Sequence, residues 1–185
     1  AAWDAEMRAF RTRLAALLGV PRADSVVPKT SAAQGLRAVL NSHDGKPRVV
    51  ATRGAFDSLD VVLREYARRG RIELALVEPR GDGRFDTADL LATVRGGCDL
   101  VVVSEVLFQT GQRLAGLPDL VVAAHAVGAR VLIDVYHSLG VLPQEHAATG
   151  VDFVVGGCSK YLRGGPGACF LYVHPRHVDA GLRTF

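Results

Sequence analysis

Lysine is scarce in this chain: Lys29, Lys46 and Lys160 are the only three in 185 residues, and arginine carries the remaining positive charge. Cysteine is scarce too. Cys98, Cys158 and Cys169 are odd in number and lack the paired spacing of a zinc site or a C-x-x-C redox motif. No metal site is expected from them, and the simplest reading is three small buried hydrophobes in a reducing compartment. No excess of one charge stands out either. The net charge is +3 and the densest basic run is Arg68-Arg69-Gly70-Arg71, too thin to indicate nucleic-acid binding. No apolar run approaches the roughly 20 residues of a membrane span, and no signal peptide precedes the first helical pattern. What remains is a cytoplasmic, globular protein with 49% hydrophobic and 22% charged residues, enough apolar content for one sizeable core. The chain begins without Met and stops at Leu182-Arg183-Thr184-Phe185 with no closing element, so it reads as part of a longer protein.

Trp3, Met7, Phe10, Leu14 and Leu17 recur at three- and four-residue steps, which predicts a core-facing helix ending near Gly19-Val20-Pro21. A loop over 21–29 follows, then Thr30-Ser31 offers hydroxyl caps to a helix from Ala32 to Leu40. From residue 48 the pattern changes to short apolar runs alternating with amphipathic stretches. Strands are expected at Val49–Ala51, Ile72–Val77, Leu100–Val103, Val131–Ile133, Val151–Val155 and Cys169–Val173, with helices around 57–69, 86–95 and 117–128. Such alternation specifies an α/β fold with a mostly parallel sheet and helices on both faces. Ligands in open sheets of this kind bind beyond the carboxyl ends of the strands. Chemistry is therefore sought at Ser104, at Asp134 and after Val155.

Lys29 and Lys46 sit in loop and turn sequence, whereas Lys160 follows an apolar strand and precedes Tyr161-Leu162-Arg163-Gly164-Gly165-Pro166-Gly167. A lysine half-buried at such a place has its charged form disfavoured, as an imine-forming amine requires; a solvated loop lysine is the ordinary alternative. Asp134 ends the strand Val131-Leu132-Ile133. It could cap a helix, or it could face a protonated ring nitrogen of a cofactor such as pyridoxal 5'-phosphate (PLP). His137 suits either a core position or a hydrogen bond to a ring oxygen. Thr30 and Ser31 open a helix where a phosphate would be favoured and where simple capping would also serve. Phe56 could stack on a flat ring or pack in the core.

The order of these signals resembles PLP enzymes of the fold-type I aminotransferase class V superfamily. The run Asp134-Val135-Tyr136-His137-Ser138-Leu139-Gly140-Val141-Leu142-Pro143, with Cys158-Ser159-Lys160-Tyr161-Leu162 and Gly164-Gly165-Pro166-Gly167, is most similar to kynureninases, and Thr110-Gly111 fits as well. The resemblance implies a PLP-binding large domain over 1–185, without the C-terminal small domain and its carboxylate-binding arginine. It implies Lys160 as the lysine carrying PLP, Thr30 as a phosphate contact, Phe56 against the ring, and Ser104 beside the cofactor. Asp134 and His137 would hold the ring nitrogen and oxygen. After Phe56 the family has an acidic residue near the cofactor, and Ser58 and Asp60 both compete for that place. Two departures stand out: Ser159 occupies the position where kynureninases usually carry a phosphate-binding tyrosine, and Tyr136 stands where they have a small residue. The activity implied is hydrolytic Cβ–Cγ cleavage of an amino acid with release of alanine, in a homodimer. Transamination, cysteine C–S cleavage and a non-catalytic homologue are the alternatives.

Overall fold

A computed structural model describes residues 2–183; Thr184 and Phe185, part of the unclosed end noted above, lie outside the described residues. Seven strands form one sheet: β1 (Val26–Lys29), β2 (Arg48–Thr52), β3 (Glu73–Val77), β4 (Leu100–Ser104), β5 (Arg130–Asp134), β6 (Phe153–Gly157) and β7 (Cys169–Val173). Their spatial order is β1-β7-β6-β5-β4-β2-β3. All neighbouring pairs are parallel except those made by β7, which runs antiparallel to both β1 and β6.

The strands are apolar on both faces because helices cover both. On one side, Val101 and Val103 of β4, Val131 and Ile133 of β5 and Val154 of β6 pack with α1 (Ala2–Leu17), α4 (Thr87–Arg95) and α5 (Leu117–Ala126). On the other, Leu100, Val102, Leu132, Phe153 and Val155 meet α2 (Ala32–Leu40) and α3 (Asp57–Arg68). The period-2 alternation of a strand assigns successive residues to the two layers. Two short helices, α6 (His146–Thr149) and α7 (Pro175–Asp179), complete the described elements.

The alternation read from the sequence is found almost residue for residue, and two expectations are corrected. The segment over 21–29 is not only loop: it holds a 3-10 turn, Ala23–Ser25, and strand β1, whose four residues pair with β7. Four residues including a proline carry too weak a local pattern to announce a strand; the antiparallel partner supplies it. The first helix is only partly core-facing. Leu14 and Ala15 are buried, but Trp3 is 72% and Leu17 44% exposed: Trp3 lies in the first turn, away from the core cluster, and Leu17 points off the face that Leu14 and Leu18 bury.

Candidate active site

The segments that follow the carboxyl ends of β5 and β6, the start of β7 and the amino-terminal ends of α2 and α3 surround a cleft of about 270 Å³. It is lined by Thr30, Ser31 and Ala32 at the start of α2, by Phe56 and Ser58 at the start of α3, and by Tyr136 and His137 after β5. Ser159, Lys160, Pro166, Gly167 and Cys169 close the remaining side. Of the residues singled out from the sequence, Thr30, Ser31, Phe56, Ser58, His137, Ser159 and Lys160 thus come together across 130 positions of chain. Asp60 does not: it pairs with Arg64 at 2.6 Å on the outer surface of α3, so Ser58 is the one of the two competitors at the cleft.

Ser31 is the N-cap of α2, its hydroxyl accepting from the Gln34 N–H at 3.1 Å. Thr30 donates both its N–H and its hydroxyl to the Gln34 side-chain carbonyl. The helix sits close to the sheet because residue 35 is glycine; a Cβ there would lie 2.7 Å from a methyl of Val155. That approach brings the first turn of α2, with its unpaired N–H groups, over the end of β6.

Asp134 does not line the cleft but is buried next to it, 2% exposed, bonded to the backbone of the lining residue Tyr136 and within electrostatic reach of Lys160. One carboxylate oxygen accepts from the Tyr136 N–H at 2.9 Å and the other from the Ser104 hydroxyl at 3.3 Å. Burial pushes its pKa up to about 6, against the pull of these two hydrogen bonds and the charge of Lys160. Ser104 is itself buried and, in register with Asp134 on the adjacent strand, stands behind the carboxylate rather than in the cleft wall. A buried carboxylate with only neutral hydrogen-bond donors is poised for a cationic partner. A protonated pyridine nitrogen of PLP is such a partner, and the flat aromatic and hydroxyl lining fits the rest of that cofactor.

Lys160 is exposed rather than half-buried, because it lies three residues past β6 in the loop that leads to β7. Its Nζ stands 5.4 Å from the centroid of the Phe56 ring, a cation–π distance. Phe56 and His137 are both partly buried, their ring centroids 5.7 Å apart. Burial, and secondarily the nearby Lys160, lowers the His137 pKa, which keeps the imidazole neutral near pH 7. Phe108 joins this group 5.2 Å from Phe56 and 6.1 Å from His137. Sequence reasoning passed over it; its only signal was an aromatic in the loop just after β4.

The two departures noted in the sequence meet in one contact. The Tyr136 hydroxyl is 2.7 Å from the Ser159 hydroxyl and 3.6 Å from the Cys169 sulfur. Room for the phenol ring exists because residue 157 is glycine, where a Cβ would fall 2.5 Å from the ring. All three cysteines are buried, and burial raises the pKa of Cys98 and Cys158, so neither of these two presents a reactive thiolate.

Comparison with known proteins agrees with this geometry. The curated kynureninase of Deinococcus radiodurans is 42% identical over 81 residues, 43% of this chain and 20% of that protein. That of Geobacillus thermodenitrificans is 39% identical over 101 residues, 54% of this chain and 23% of that protein. Among solved structures, a cysteine desulfurase from Thermococcus onnurineus superposes with a TM-score of 0.83 at 20% identity, covering 94% of this chain and 44% of that one. A C-DES variant with glycine covalently linked to its PLP cofactor gives 0.83 at 22% identity, covering 96% and 47%. The chain therefore spans less than half the length of these proteins, and the structural matches at such identity speak for the fold. The family model described as aminotransferase class-V matches residues 2–180, nearly the whole chain, and the protein belongs to the aminotransferase class V family.

Proposed function

We propose that the cleft holds PLP and that the full-length protein acts on an amino acid, by kynureninase-like hydrolytic Cβ–Cγ cleavage with release of alanine. The observation that carries the cofactor assignment is a lysine amine in the cleft lining within electrostatic reach of Asp134, a carboxylate of raised pKa buried beside that lining. Bound there, PLP supplies a carbonyl carbon open to amines and a ring that accepts the electron pair of a substrate bond. The chain's own residues do the rest. Asp134 holds positive charge at the ring nitrogen, and its burial makes that charge pairing strong. Phe56 and neutral His137 flank the ring and orient it. Lys160 would hold the cofactor through its amine, and the same amine could take the proton from the substrate α-carbon. Support for the finer reaction comes from the kynureninase relatives at 42% and 39% identity over their matched segments and from the run Asp134 to Pro143. The buried state of all three cysteines disfavours a desulfurase nucleophile within this chain.

The experiment has two stages. Borohydride treatment of full-length protein supplied with PLP, followed by peptide mapping, should place the phosphopyridoxyl label on Lys160; a label on Lys29, Lys46 or no lysine overturns the cofactor reading. The same protein given kynurenine or 3-hydroxykynurenine should release alanine and the corresponding anthranilate. Keto acid or sulfide from a panel of amino acids, without anthranilate, would leave the cofactor reading standing and remove the kynureninase reaction.

A further inference from the structure

The polar groups of the cleft are sorted along its length. Asp134, buried behind the lining at the end of β5, offers a negative charge next to Tyr136. Away from it, hydroxyls and helix N–H groups gather: Thr30, Ser31 and Ala32 from α2, Ser159 from the loop after β6, and the phenol of Tyr136. Sheet register explains how a residue after β5 reaches that far. Gly157 of β6 lies opposite Cys169 of β7, and Cys169 lies opposite Lys29 of β1. These three backbones form one row across the sheet, and Thr30 follows at its end. The Tyr136 ring rests on Gly157, and its hydroxyl is 3.6 Å from the Cys169 sulfur. The side chain thus crosses β6 toward the beginning of α2, and its hydroxyl meets that of Ser159 at 2.7 Å. Burial, the largest influence on it, raises the phenol's pKa, so it remains a proton donor at neutral pH.

Resting on the reading of the cleft as a PLP site, we infer that Tyr136 is a positioning residue for the phosphate of the cofactor, donating a hydrogen bond jointly with Ser159 opposite the first turn of α2. Two features suit this end to a phosphate monoester, hydroxyl donors and the positive pole of a nine-residue helix, in a cleft whose lining carries no carboxylate, Asp134 being buried behind it. A phenol that merely filled space over Gly157 would have no need to meet Ser159 at hydrogen-bond distance.

The test compares PLP with pyridoxal, which has the same ring and aldehyde but no phosphate, by equilibrium binding to the full-length protein and its Tyr136→Phe and Ser159→Ala variants. Phenylalanine keeps the ring over Gly157, and an unchanged thermal melt of the cofactor-free variant confirms the fold. Loss of a charge-assisted hydrogen bond should weaken PLP about tenfold or more in Tyr136→Phe, while pyridoxal affinity changes less than about twofold. The 31P resonance of bound PLP should shift in the same variant, and Ser159→Ala should change the PLP-to-pyridoxal ratio in the same direction. Equal weakening of both ligands, or of neither, overturns the phosphate role and leaves the cofactor site intact. Failure of the unsubstituted protein to bind PLP would overturn both this inference and the proposed function.

Discussion

Asp134 is the residue whose environment states its task most directly. With its pKa raised to about 6, it binds a proton more readily folded than unfolded, where an aspartate titrates near 3.9. Its contribution to stability is therefore fully present below about pH 4 and is lost as pH rises through about 6. In the cofactor-free protein, Asp134→Asn should raise the melting temperature at pH 7.5 by a few degrees, on the scale of about 2–4 °C per kcal/mol for a domain of this size. At pH 4 it should have little effect. Scanning calorimetry at the two pH values checks this; an equal change at both would mean that the carboxylate is not held against its preference. The same substitution should leave PLP bound yet lower turnover on the order of a hundredfold, since deleting one preorganised polar contact costs about 2–4 kcal/mol in a transition state. A group that destabilises the empty fold and serves the filled site is the expected signature of a functional carboxylate.

At the scale of elements, two places tie the site to the sheet. The first is the seat of Tyr136 on β6. Gly157→Ala would put a methyl 2.5 Å from the phenol ring, and because residue 157 is fixed by pairing with Cys169, the ring must move. The expected cost is about 1–3 kcal/mol. In a Tyr136→Ala background it should largely vanish, a coupling that a denaturant-based double-mutant cycle would read. The second is Asp152, just before β6 and at the opposite end of the strand from the cleft. Buried at 1% exposure, it accepts hydrogen bonds from the Val131 N–H, His177 and Arg176 and pairs with His125, joining α5, β5 and α7. Burial opposes its ionisation, but these partners together hold its pKa well below the usual carboxylate range. The sign is opposite to that of Asp134: the stability is present above about pH 4 and lost as pH falls below it. Asp152→Asn should cost about 2–4 kcal/mol at pH 7, a penalty that shrinks below pH 4 in urea titrations.

For the molecule as a whole, cofactor and fold should be linked, because the cleft is built from two helices on one face of the sheet and from the loops at its strand ends. Saturation of the full-length protein with PLP at about a hundred times its dissociation constant should add about 2.7 kcal/mol of stability. Lys160→Ala should reduce the rise in melting temperature, whereas Lys46→Ala, whose lysine pairs with Glu73 on the surface, should not. Much of this organisation was legible in the sequence. The helix–strand alternation, Lys160 after one apolar run and Asp134 at the end of another are local signals: burial writes a period of 2 or 3.6 into neighbouring residues, and a polar residue that breaks an apolar run marks a strand end. Pairings between distant segments leave no such trace. That β1 is a strand is decided by its antiparallel partner β7, and the partial exposure of α1 by where the helix runs out of core to cover. Ser104 joined the site from behind Asp134, through strand register. Tyr136 and Ser159, each an isolated oddity in the sequence, became one contact only when β6 brought Gly157 beneath the phenol. The sequence by itself determined the class of fold and the two charged groups of the site, Lys160 and Asp134, since each is set by its own segment. Tertiary structure decided how the wall between them is assembled, because hydrogen bonds and close approach depend on the packing of strands that the chain keeps far apart.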